Sequence, residues 1–171
     1  IGEGEETFLE IVNKNCDFRD IRGIYYKEGQ KIIKNDPRPP IEDLDKIPFP
    51  SRELFDMENY FRHYYQMDTV DSGIRGTSIL ASRGCPYKCT YCQPTLDMLF
   101  GKKLRCRSVR SLIEELKMLK EEYGINAFGF LDDTFAVDKT WAANFCDELI
   151  SQELNLKWQC NLRVNLCTEE I

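Results

Sequence analysis

Histidine is nearly absent, with His63 standing alone among 171 residues. That excludes a metal centre built mainly from imidazole, and His63, set among Tyr60, Phe61, Tyr64 and Tyr65, reads as a packing residue. Long apolar runs are missing too, and none approaches the roughly 20 residues of a bilayer span. Nor is there an excess of positive charge: the net charge of −6 argues against a general nucleic-acid or membrane-surface binder. No charged-then-apolar leader opens the sequence, so a cytoplasmic protein is expected.

Cysteine, in contrast, is abundant. Of the eight, Cys85, Cys89 and Cys92 fall within eight residues, while Cys16, Cys106, Cys146, Cys160 and Cys167 are scattered. A secreted disulfide scaffold is usually smaller and loop-rich, so tight clustering favours a metal site in a reducing compartment. Cys146 and Cys160 sit in helical or strand patterns, where free cysteine behaves as a small hydrophobe.

The spacing of Phe8, Ile11 and Val12 predicts a helix over 5–15, entered from the turn Gly2-Glu3-Gly4. Runs at 21–26 and 31–33 around Glu28-Gly29 predict a hairpin. Prolines at 37, 39, 40, 48 and 50 exclude regular structure over 35–55, which reads as an extended connector. A short aromatic helix is expected over 56–66. From residue 77 a rhythm begins. Strands are expected at 77–82, 125–131 and 156–164, with helices capped by Ser108 and closed by Gly124, and capped by Asp138. Thr168 reads as the start of a third helix. Alternating strands and helices imply parallel βαβ units in an α/β fold. Chemistry in such folds gathers at the carboxyl ends of the strands. There the sequence places the cysteine loop, Asp132-Asp133, and the pair Asn161 and Arg163, which would share one strand face.

The cysteine motif reads Gly84-Cys85-Pro86-Tyr87-Lys88-Cys89-Thr90-Tyr91-Cys92, or C-x3-C-x2-C. Three thiolates can hold three irons of a four-iron cube and leave the fourth open to an outside ligand. Two other readings remain open: a zinc site completed by Cys106, and an electron-transfer iron–sulfur module. The basic run Lys102 to Arg110 could face anionic groups, but a charge run before a helix more often forms a solvated face.

With Tyr91 as the aromatic of C-x3-C-x-aromatic-C, the motif resembles that of the radical S-adenosylmethionine (SAM) superfamily, and the resemblance runs from about Thr77 to Ile171. It implies a [4Fe-4S] cluster on Cys85, Cys89 and Cys92 whose free iron binds SAM, and reductive cleavage to a 5′-deoxyadenosyl radical. It further implies that Tyr91 flanks the adenosyl group and that Asp132 or Asp133 meets the amino group. Asn161 and Arg163 would reach the carboxylate or ribose. Phe130-Leu131-Asp132-Asp133-Thr134-Phe135 departs from the usual Gly-Gly-Glu form yet keeps acids. No residue is implied as the catalytic group acting on substrate.

The order of parts narrows the resemblance. Gly2-Glu3-Gly4-Glu5-Glu6-Thr7-Phe8, the hairpin and Leu44-Asp45-Lys46-Ile47-Pro48-Phe49-Pro50 resemble the cobalamin-binding branch. The expected organisation is the end of a cobalamin-binding Rossmann-like domain at 1–20, a hairpin and connector at 21–76, and three βα units of a partial TIM-type barrel at 77–171. Both ends read as internal to a longer polypeptide, so the isolated stretch is expected to be inactive and to expose apolar strand edges. Gly2, Glu3 and Gly4 would meet cobalamin. Methyl transfer is the commonest activity of this branch, and a methylthiotransferase without cobalamin is the alternative. A flavodoxin- or ferredoxin-type electron donor and a small-molecule or peptide substrate are implied.

Overall fold

The computed structural model describes residues 1–62, 73–92, 94–169 and 171. His63, Tyr64, Tyr65 and Gln66, which enter the expected aromatic helix, lie outside the described residues. The chain divides into two compact units, each assembled from two stretches: 1–47 with 84–105, and 48–83 with 106–171.

The first unit holds helix α1 (Glu5–Asn13), the antiparallel hairpin β1 (Tyr25–Glu28) and β2 (Lys31–Lys34), and helix α3 (Pro94–Phe100). Helix α1 starts at Gly4 with Glu5 and Glu6 in its first turn, where acids complement the exposed N–H groups. Arg38 ties α1 to the chain after the hairpin. Its Nε donates to Thr7 Oγ1 at 2.9 Å and its guanidinium pairs with Glu6 and Glu10. Helix α3 carries no capping signal in the sequence; it begins at Pro94, two residues after Cys92, a position proline tolerates at a first turn.

The second unit holds helix α2 (Met57–Arg62), strand β3 (Gly76–Ile79), helix α4 (Val109–Tyr123), strand β6 (Ala127–Phe130), helix α5 (Lys139–Ser151) and strand β7 (Lys157–Gln159). The two-residue strands β4 (Ser82–Arg83) and β5 (Arg105–Cys106) stand where the chain passes from one unit to the other. Strands β3, β6 and β7 form a parallel sheet in that order, with Thr77 opposite Phe128 and Phe128 opposite Trp158. The fold is thus mixed α/β with a parallel sheet.

Local chemistry explains the elements. Ser108 caps α4 by accepting from Ser111 N–H at 3.1 Å, and Gly124 closes it at φ 63°. Asp138 caps α5 by accepting from Trp141 N–H at 3.0 Å. Leu112, Leu116 and Leu119 are fully buried along one face of α4, each stabilising the fold by about 1.5–3 kcal/mol. Beneath the helices, Phe128 stacks on Trp158 at 6.0 Å and Phe130 on Phe135 at 5.1 Å.

Two expectations need correction. The third strand ends at Gln159 and a 3₁₀ turn occupies Val164–Leu166, so Asn161 and Arg163 do not share a strand face. Asn161 leaves the ladder because its carbonyl accepts from Phe135 N–H at 2.7 Å. Among the described residues no helix starts at Thr168, whose N–H is taken by Leu166 O at 3.0 Å. No helix among the described residues is long and apolar enough to cross a membrane.

Candidate functional site

The cysteine segment belongs to the first unit. It enters through Gly84 at φ 89°, a backbone state that disfavours any side chain. A Cβ there would lie 2.3 Å from the Lys103 carbonyl oxygen and 3.2 Å from that of Gly101, so the two ends of the segment touch backbone to backbone. Residues 84–92 form neither helix nor strand and include a turn in which Cys92 N–H donates to Cys89 O at 3.1 Å. Cys85 and Cys89 are half-buried and Cys92 is exposed, as is Tyr91 beside it. None of the eight cysteines is in a disulfide. Among the described residues no three histidine, cysteine or acidic side chains are already gathered as a metal site. The loop therefore offers three accessible thiols on a pinned base, and the donor chemistry fits a thiophilic iron cluster.

The foot of that segment is held from inside. Arg105 is buried and donates to Ile41 O at 2.6 Å and Phe100 O at 2.8 Å. It pairs with Glu3 at 2.7 Å, and Glu3 accepts from Ile41 N–H at 2.6 Å. Glu3 thus points into the unit. Gly2 and Gly4 leave open space where a Cβ would stand, with only Leu99 O at 3.9 Å from the former.

In the second unit, the carboxyl ends of β3 and β6 meet at Asp132, which is 2% exposed. Its Oδ1 accepts from Ala81 N–H at 2.8 Å and its Oδ2 accepts from the Ser82 hydroxyl. Burial outweighs these bonds and pushes its carboxyl up to about 6. Asp133 is exposed. Asn161 Nδ2 donates to Asp132 O at 3.3 Å, so these two expected residues come together. Arg163 donates to Asn165 Oδ1 at 3.1 Å within its own turn. Cys106, half-buried, has its thiol pushed up to about 11 by burial and then by Asp132 and Asp138. Burial, with Asp132 and Cys146 nearby, likewise raises Cys160, and burial beside Asp147 raises Cys146, so these thiols stay protonated.

The basic run is not one solvated face. Lys102, Lys103 and Arg110 are exposed, but Arg105 is buried and Arg107 is largely covered. Arg107 and Arg52 both pair with Glu115, at 2.5 and 2.8 Å, and Glu115 is 1% exposed. Arg107 also accepts, through its carbonyl, the Trp141 indole N–H at 2.8 Å. The alternation of 105 and 107 against 102, 103 and 110 is the signal that marks them, though charge alone hides it. Ser82 carries no distinctive pattern in the sequence, since a lone serine at a strand start looks like any other.

No protein-family model matches the chain. Among curated proteins it is 39% identical to an uncharacterized methyltransferase of Pyrococcus horikoshii, over 99% of this chain and 35% of that protein. It is 30% identical to the cytidylyl-2-hydroxyethylphosphonate methyltransferase of Streptomyces wedmorensis, over 92% of this chain and 33% of that protein. The chain thus spans about a third of the length of these relatives. Two solved structures share the fold. The cobalamin-dependent S-adenosylmethionine radical enzyme OxsB, with aqua-cobalamin and S-adenosylmethionine bound, matches at TM-score 0.68 and 20% identity, over 92% of this chain and 21% of that one. The radical S-adenosylmethionine methyltransferase TsrM of Kitasatospora setae, with cobalamin and a [4Fe-4S] cluster bound, matches at TM-score 0.61 and 19% identity, over 89% and 29%. The chain thus resembles methyltransferases in sequence and, with its C-x3-C-x2-C loop following the first strand of a parallel sheet, shares its fold with part of these two S-adenosylmethionine radical enzymes.

Proposed function

We propose that the intact protein is a cobalamin-dependent radical SAM methyltransferase or a related radical enzyme, and that this chain supplies its cluster loop. The observation that carries the reading is the loop itself: three accessible thiols at C-x3-C-x2-C spacing between β3 and α4, closed at its base by Gly84. Cys85, Cys89 and Cys92 hold a [4Fe-4S] cluster. When bound, that cluster offers SAM an open iron and the electron that cleaves it reductively.

The remaining roles belong to the chain. Asp132 or Asp133 accepts from the SAM amino group; Asp132 is buried with its carboxylate on Ala81 N–H and the Ser82 hydroxyl, whereas Asp133 lies at the surface. Tyr91 flanks the adenosyl group, and Asn161 and Arg163 serve its carboxylate or ribose. The open backbones of Gly2 and Gly4 suit close approach to cobalamin, whereas Glu3 is engaged inside the unit. Residues 1–20 end a cobalamin-binding Rossmann-like domain, 21–76 connect, and 77–171 open a partial TIM-type barrel of βα units. A flavodoxin- or ferredoxin-type protein delivers the electron in the cytoplasm, and the methyl acceptor is a small molecule or peptide.

Anaerobic reconstitution of the intact protein with iron and sulfide tests this. Serine at position 85, 89 or 92 should each lower bound iron and remove the reduced cluster's EPR signal, while Cys106→Ser should not. SAM should shift that signal. A signal indifferent to SAM, or one lost on Cys106→Ser, sinks the reading.

A further inference from the structure

We propose that Glu3 and Arg105 are a positioning pair for the cysteine loop, fixing its foot to the segment around Ile41. This rests on the cluster reading given above. Both side chains are almost wholly covered, at 2% and 3% exposed. The peptide of Ile41 lies between them: its N–H donates to Glu3 at 2.6 Å and its carbonyl accepts from Arg105 at 2.6 Å. Arg105 also takes the Phe100 carbonyl at the end of α3, at 2.8 Å. One guanidinium therefore joins three points, namely the entry to α1, the Ile41 segment, and the helix that follows the cysteines. A lysine has no fork with which to do this.

Position in the loop gives the pair its effect. The cysteines lie between Gly84 and Arg105, and Gly84 packs on the carbonyl of Lys103, two residues before Arg105. Holding Arg105 holds Lys103, and so holds the surface against which Gly84 enters the loop. A buried pair of this kind adds little net stability over an apolar replacement, but removing one partner strands the other charge. Its value is geometric. It limits the positions open to the base of the loop that carries Cys85, Cys89 and Cys92.

Two readouts on the intact protein test the pair. In the cluster-free protein, hydrogen exchange of 84–105 should accelerate in Arg105→Met and Glu3→Gln, while 139–151 exchanges as before. In the reconstituted protein, both variants should lose iron to a chelator about tenfold faster or more, the usual effect of removing an outer-shell support. Arg105→Lys, which keeps the charge, should fall between. Arg38→Gln is the control, since it breaks a different ion pair of the same unit. Equal acceleration of iron loss in Arg38→Gln would reduce the pair to general stability, as would unchanged exchange of 84–105. If Arg105→Met does not fold, Arg105→Lys and Glu3→Gln carry the decision by the same measures. A wild-type protein that binds no cluster overturns the cluster reading instead, while the exchange experiment still decides the pair.

Discussion

The Ser82 hydroxyl, at the start of β4, donates to the Asp132 carboxylate just past β6, and the neighbouring Ala81 N–H donates to the other oxygen at 2.8 Å. One acid thereby fixes Ala81 and Ser82, just beyond β3, before the chain enters the cysteine loop. Asp132→Ala should cost about 1–3 kcal/mol, because a buried N–H and hydroxyl lose their acceptor. Chemical denaturation of the two proteins measures it. A change within a few tenths of a kcal/mol would show that water replaces the carboxylate without loss.

The same residue imposes a pH dependence. An acid whose pKa rises from 3.8 unfolded to about 6 folded binds its proton more tightly in the folded state. Its contribution to stability is therefore greatest below about pH 4 and declines as pH rises to about 6, by a total on the order of 3 kcal/mol. Asp132→Asn imitates the protonated form and removes this slope. The stability of the natural protein relative to Asp132→Asn should rise as pH falls from 7.5 to 5. A difference that stays constant across that range would contradict the placement of a buried, reluctant carboxylate.

Gly84 and Gly101 offer a paired test of the loop base. Both have positive φ, 89° and 72°, but a Cβ at Gly84 meets the Lys103 carbonyl at 2.3 Å whereas one at Gly101 meets nothing within 4 Å. Gly101→Ala should cost about 1–2 kcal/mol, the left-handed penalty alone. Gly84→Ala should cost more and should also impair cluster retention, because the backbone must move. Equal losses in melting temperature and in bound iron would mean that close packing at Gly84 is not a constraint.

Glu115 neutralises one of two arginines that reach it from the proline-rich segment and from the chain before α4. Arg52 also donates to Ser78 O at 3.4 Å and Arg107 to Leu80 O at 3.1 Å, so the trio fastens these stretches to the end of β3. Glu115→Ala strands two buried cations and should destabilise by about 3–5 kcal/mol. Thermal unfolding would register this as a shift much larger than that of Glu114→Ala, since Glu114 pairs with Arg110 at the surface.

The sequence by itself determined the helices α4 and α5, because Ser108, Gly124 and Asp138 act within one turn of their own positions. It determined β6, whose unbroken apolar run suits a strand buried on both faces, and the thiol spacing that admits three irons. Tertiary structure decided what depends on partners far along the chain. Arg105 and Arg107 look like solvated charge until Glu3 and Glu115 arrive from about 100 residues upstream or from the next helix. Asp132 and Asp133 are alike in sequence, and only the approach of Ala81 and Ser82 separates the buried acid from the exposed one. Strand β7 stops early because Phe135 claims the Asn161 carbonyl, a competition between distant backbones that no local propensity encodes.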